Sequence, residues 1–152
     1  MLARAAAPLL SLLLVLSVAA CGSAASNTTH PDGLVVSVSG AWVRAAASGG
    51  VTAAYLTITN DGLDDQTLVG VSTPAAGSAS LHRTTTKDGV TGMEPVGGIA
   101  IPAGGTVVLE PGGYHIMLEG VVGDLVAGQV VQLTLTFDGI GAIDVPAEVR
   151  AN

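Results

Sequence analysis

From Leu34 onward the chain alternates apolar and polar residues over short runs, and those runs are broken by Gly, Pro, Asn and Asp. In Leu133-Thr134-Leu135-Thr136-Phe137 the apolar side chains fall on one face and the threonines on the other. Tyr55-Leu56-Thr57-Ile58-Thr59 repeats the pattern, with Leu56 and Ile58 expected to face inward. A period of two is that of a half-buried strand. It predicts strands over Leu34–Ser39, Ala53–Thr59, Thr67–Val71, Ser80–Thr85, Thr106–Leu109, Tyr114–Leu118, Val130–Phe137 and Ala142–Val149. Turn signals separate them at Asn60-Asp61-Gly62, Lys87-Asp88-Gly89, Pro102–Gly105, Pro111-Gly112-Gly113 and Asp138-Gly139. Many short strands at regular spacing predict one all-β domain, an antiparallel sandwich or a Greek-key barrel. The segment from Val121 to Gln129 fits either a loop or one helical turn.

The first twenty residues have a different pattern. Arg4 gives a weakly positive start, an apolar run from Leu9 to Leu16 follows, and small residues lead to Cys21. This layout predicts a secretory signal peptide over residues 1–20, and the run is short for a membrane span. Val18-Ala19-Ala20-Cys21 also fits a bacterial lipobox, which makes Cys21 the expected lipidated first residue of the mature protein. Residues 21–33 are then the anchor and a small, polar tether, and residues 34–152 the domain. The expected location is extracytoplasmic, held to the bacterial cell membrane by the lipid.

Composition narrows the chemistry. Five Lys plus Arg face twelve Asp plus Glu, a formal charge of -7. Such a chain has no charge attraction for nucleic acid or anionic lipid. There is one Trp, one Phe and two Tyr, so the core must rest on Val, Leu, Ile and Ala, with Trp42 expected to fill its largest hole. Trp42 and Arg44 as a binding pair is the other reading of that segment. The single Cys excludes an internal disulfide and any thiol-rich zinc or iron–sulfur site. No phosphate loop, motif-placed Ser-His-Asp set or dense carboxylate pair is present, which argues against an enzyme.

The remaining soft ligands cluster. Apart from Met1 and the tether's His30, the methionines and histidines are His82, Met93, His115 and Met117. His115 and Met117 are two apart on a predicted strand and therefore share a face, opposite the apolar Tyr114, Ile116 and Leu118. His82 occupies a second predicted strand, with Leu81 turned to the core, and Met93 ends a turn-rich segment where a side chain can point outward. Neutral thioethers select Cu(I), and imidazole also suits copper. Zinc prefers Cys, His and carboxylate, for which only Glu94 stands nearby. A blue-copper electron carrier would need a thiolate ligand, and the one Cys is at the anchor.

The spacing from His82 over ten residues to Met93, over twenty-one to His115 and over one to Met117 resembles the signature of the periplasmic copper-A chaperone (PCuAC) family. Ala41-Trp42-Val43-Arg44, Ala54–Asn60, Ile101–Gly105, Leu109–Leu118 and Leu133–Phe137 resemble its other blocks, so the likeness runs from about Val35 to Val149. It implies a cupredoxin-like β-sandwich or barrel that binds Cu(I) near its surface through His82, Met93, His115 and Met117. It also implies delivery of copper to a recipient such as the copper-A domain of cytochrome c oxidase. The chain ends at Asn152 without the His- and Met-rich tail of some members. The rival readings are copper storage or tolerance without delivery, and an envelope adhesion module that binds no metal.

Overall fold

The computed structural model of the chain describes residues 26–29 and 35–151. Eleven strands follow in order: β1 (Ser26–Thr29), β2 (Val35–Arg44), β3 (Val51–Asn60), β4 (Gln66–Ser72), β5 (Ala76–Lys87), β6 (Val90–Pro95), β7 (Ile99–Ile101), β8 (Thr106–Leu109), β9 (Tyr114–Val121), β10 (Val130–Asp138) and β11 (Gly141–Arg150). The described residues contain no helix. The hydrogen-bonded path runs β6-β5-β9-β8-β3-β2-β11-β10-β4-β7, with β1 added against β2 and a further pairing of β9 with β3. Pairs are antiparallel except β11 with β2 and a single rung between β8 and β9. The path folds over one continuous core drawn from both of its halves, an all-β arrangement.

The two-residue period is borne out where it was clearest. Leu133, Leu135 and Phe137 of β10 are buried, as are Ile143, Val145, Ala147 and Val149 of β11, with more exposed residues between them. Leu56 and Ile58 of β3 point inward as expected. Ile116 and Leu118 of β9 are fully enclosed, and Leu81 of β5 lies opposite Ile116 in the same core. Fully burying side chains of this size contributes about 1.5–3 kcal/mol each. That contribution favours the register that turns them in, and a one-residue slip would expose the whole set.

Trp42 corrects the expectation that it fills the core. Val36 and Val38 face inward, and unbroken alternation along β2 would carry Trp42 inward with them. The register against β3 shifts between Ser39 and Trp42, where Gly40 adopts a positive φ of 61°. This bulge adds one residue and reverses the parity of everything after it. Val43 is therefore fully buried, and Trp42 stands half-buried on the outer face against Tyr55, with ring centroids 4.5 Å apart.

Other segments differ from the reading of the sequence or settle an alternative it left open. Val90–Pro95 is a strand, joined to β5 through Asp88 and Gly89, both at positive φ. Two consecutive positive φ values make the hairpin turn that matches strand twist, which explains the Asp-Gly pair. Residues 122–129 form a loop, held by paired hydrogen bonds between Ala46 and Leu125. Within the expected tether, Ser26–Thr29 pairs with Val35–Val38, so that segment is not wholly irregular. The signal peptide, Cys21 and His30 lie outside the described residues.

Candidate metal centre

Strand pairing brings together four residues that are far apart in the chain. His82 of β5 and His115 of β9 are direct cross-strand partners. Their ring centroids are 5.8 Å apart and tilted by 35°. Met117 lies opposite Ser80 of β5 on one side and Ala53 of β3 on the other. Met93 of β6 lies opposite Thr84 of β5. Residues two apart on a strand share a face, so Ser80, His82 and Thr84, His115 and Met117, and Met93 all belong to one face of three adjacent strands. Leu81, Ile116 and Leu118 occupy the reverse face and hold this layer against the core.

Met93, His115 and Met117 line one open pocket of about 350 Å³, whose wall also includes Tyr55, Thr84 and Arg44. His82 is not part of the lining and sits beside it, next to His115. Exposure is graded across the four: His115 is 3% exposed, His82 and Met117 are half-buried, and Met93 is 60% exposed. The pocket therefore has an imidazole floor and a thioether at its lip.

The imidazoles show an unusual feature for buried polar groups. His115 Nδ1 donates to the Gly113 carbonyl at 3.1 Å. A carbonyl only accepts, so in the neutral ring the proton is on Nδ1 and Nε2 carries a lone pair. That Nε2 is buried and has no hydrogen-bond partner. In His82, Nε2 is 3.0 Å from the Ser80 hydroxyl, while Nδ1 is buried and unpartnered. Buried polar atoms nearly always find partners, and each one left unmatched costs about 1–3 kcal/mol. Two such nitrogens on facing rings, each ring oriented through its other nitrogen, is the arrangement in which imidazoles ligate a metal.

The neighbouring carboxylate is engaged elsewhere. Glu94 follows Met93 but belongs to the other face, where it binds Arg83 at 2.8 Å. The Glu94 hydrogen bond holds the Arg83 guanidinium above its ordinary pKa, helped by the carboxylate's charge and by Tyr114. No group of three or more His, Cys, Asp or Glu among the described residues is placed to hold a metal. The donors gathered here are imidazole and thioether, the set that suits a soft monovalent cation.

Of the sequence-predicted ligands, His82, His115 and Met117 stand on strands as expected. Met93 stands on a strand that the sequence did not reveal. Arg44 and Tyr55 line the pocket wall and Trp42 stacks on Tyr55; the sequence offered Trp42 with Arg44 as a binding pair only as the alternative to packing. The Gly40 bulge was the signal for this, because it sets the parity that puts Trp42 and Arg44 outside.

Comparison with known proteins gives a consistent picture. A curated protein called "Putative lipoprotein Lxx21020", from Leifsonia xyli subsp. xyli, is 47% identical over 116 residues, 76% of this chain and 68% of that protein. The solution structure of CuI-DR1885 from Deinococcus radiodurans shares 38% identity at a TM-score of 0.59, over 76% of this chain and 79% of the other. The copper-bound PCuAC domain from PmoF2 superposes with a TM-score of 0.65 over 77% of this chain and 93% of the other, and its 23% identity shows the fold alone. Residues 36–149 match a family described as "Putative lipoprotein LpqE-like", so the chain belongs to that lipoprotein family and has the cupredoxin-like fold of PCuAC domains.

Proposed function

We propose that this protein is a copper chaperone of the bacterial cell envelope. In this reading it carries Cu(I) as cargo on His82, Met93, His115 and Met117 and passes it to an acceptor protein. The observation that carries the reading is the pair of buried, unpartnered nitrogens, His82 Nδ1 and His115 Nε2, on facing rings beside two methionines. Likeness to a Cu(I)-bound solution structure at 38% identity supports copper as the cargo. A neutral donor set leaves the site at charge +1, and no thiolate is needed that would oxidise outside the cytoplasm.

An open pocket with one exposed thioether suits exchange. Met93 is on an edge strand and can yield its place to an acceptor's ligand while His115 stays enclosed. Cargo then moves between two partly assembled coordination shells without being released into water. Imidazole binds metal only when neutral, so protons compete with copper and acidification weakens the complex. An anchor at Cys21 would confine the domain near membrane-bound acceptors and raise their effective concentration. The acceptor favoured here is the copper-A domain of cytochrome c oxidase.

Competition for Cu(I) against a chromophoric chelator tests the site. The variant carrying both His82→Ala and Met117→Ala should lose copper to the chelator, and unchanged affinity would sink the assignment. Transfer from the loaded protein to a soluble apo copper-A domain, followed by that domain's absorption, tests delivery. Tight binding with no transfer would instead favour storage or tolerance.

A further inference from the structure

The copper-side face continues past the pocket onto β2 and β11. Tyr55 pairs with Trp42, Trp42 with Glu148, and Arg44 with Arg150. The outer face therefore runs from Met93 through the two histidines to an aromatic pair and two arginines. The Arg44 guanidinium lies 6.0 Å from the Tyr55 ring centroid, and that of Arg150 lies 5.6 Å from Trp42. Arg150 also reaches Glu148 at 3.2 Å in an exposed pair.

This placement is hard to explain as a contribution to folding. The whole chain has five basic residues against twelve acids. Two of those five are direct neighbours in the one parallel strand pairing longer than a single rung, and Arg44 lies in the pocket wall. Like charges side by side on a sheet oppose its formation. Each guanidinium lies within about 6 Å of an aromatic ring centroid, a contact that favours a cation. Trp, Tyr and Arg are also the residue types that dominate binding energy at protein interfaces. Beside them, Val51 at 60% exposed and Met93 at 60% exposed supply apolar surface around the pocket mouth.

We infer that Trp42, Arg44 and Arg150, backed by the buried Tyr55 ring, form the docking surface for the copper acceptor, and that the acceptor presents carboxylates beside its own metal site. The inference rests on the delivery reading above. Charge complementarity selects the partner: a local positive patch on a strongly acidic protein attracts a surface bearing carboxylates, while the acidic remainder repels docking in other orientations. This aligns the pocket with the acceptor's open ligands before the metal moves. Electrostatic steering of this kind raises association rates about 10- to 1,000-fold, and salt screens it.

The test uses the Cu(I)-loaded protein and a soluble apo copper-A domain in stopped-flow mixing at low and high ionic strength. The probe variant is Arg150→Glu, at an exposed position outside the pocket wall, and its Cu(I) affinity is measured in parallel by chelator competition. The expected result is unchanged affinity, transfer slowed about tenfold or more at low salt, and a gap that narrows as salt rises. Wild-type rates at every ionic strength would overturn the docking surface and leave the delivery reading standing. A loss of copper affinity that accounts for the slowing would also overturn it, because the arginine would then act on the site itself. Absence of transfer from the wild-type protein would overturn the delivery reading, and the docking surface with it.

Discussion

Replacing His115 by Leu separates a ligand from a packing residue. An enclosed side chain is ordinarily expensive to change, and large-to-small substitutions in a core cost about 2–5 kcal/mol. His115 is 3% exposed, yet its Nε2 has no partner. Leaving that atom unmatched costs the metal-free protein about 1–3 kcal/mol. Leucine, of similar volume, removes that cost. It also removes the Nδ1 bond to the Gly113 carbonyl, a loss of about 1 kcal/mol. The two effects nearly cancel or favour the variant, so apo His115→Leu should melt at or above the wild-type temperature. The copper-bound comparison runs the other way. Free Cu(I) at a thousand times its dissociation constant stabilises the wild type by about 4 kcal/mol. For a domain of this size that raises the melting temperature by roughly 10–20 °C. The variant should show little of that rise. Thermal melts by circular dichroism, with and without Cu(I) under reducing conditions, give both quantities. An apo variant weakened by more than about 2 kcal/mol that keeps its full copper-induced rise would refute the reasoning. In that case His115 would be a core residue and the metal would bind elsewhere.

Other outcomes follow from the same geometry. Met93→Ala should weaken Cu(I) in chelator competition while leaving urea stability within about 0.5 kcal/mol of wild type, because Met93 is exposed on a strand with no buried residue. Asn60→Ala should do the reverse. The fully buried Asn60 amide donates to the Asp64 and Ile101 carbonyls and its oxygen accepts from the Gly62 amide, so stability should fall by about 2–4 kcal/mol in urea titration with copper affinity retained. Ile116→Ala, on the reverse face between the two β9 candidate ligands, should cost about 2–5 kcal/mol and loosen copper as well, read by denaturation and competition together. Cys21→Ser should abolish incorporation of a labelled fatty acid in cells; continued labelling would remove the anchor from the account.

Much of the fold was legible because the domain's strands are half-buried. Wherever one face meets the core and the other meets solvent, alternation records the fact, as in β3, β9, β10 and β11. The segments that escaped lack that contrast. Every residue of β6 is exposed, so burial wrote no period into Val90–Pro95. With only three residues, β7 is too short to show one. Trp42 was placed on the wrong side for a different reason. Its size suggested the core, and the bulge at Gly40 reversed the alternation that would have taken it there. The candidate donors stand out for the opposite reason, since His and Met are so scarce in this chain that four at a fixed spacing are conspicuous.

By itself the sequence determined the all-β class, the inward faces of the longer strands and the chemical type of the candidate donors. These follow from side-chain identity and a local period of two, which need only neighbouring residues. Tertiary structure decided which strands lie side by side. Pairing of β5 with β9 sets His82 against His115, and pairing of β5 with β6 brings Met93 onto the same face. It also decided that two ring nitrogens are buried without partners, and that Trp42 and Arg44 flank the pocket. Burial and long-range register depend on the whole sheet closing around its core, and no local stretch of residues specifies them.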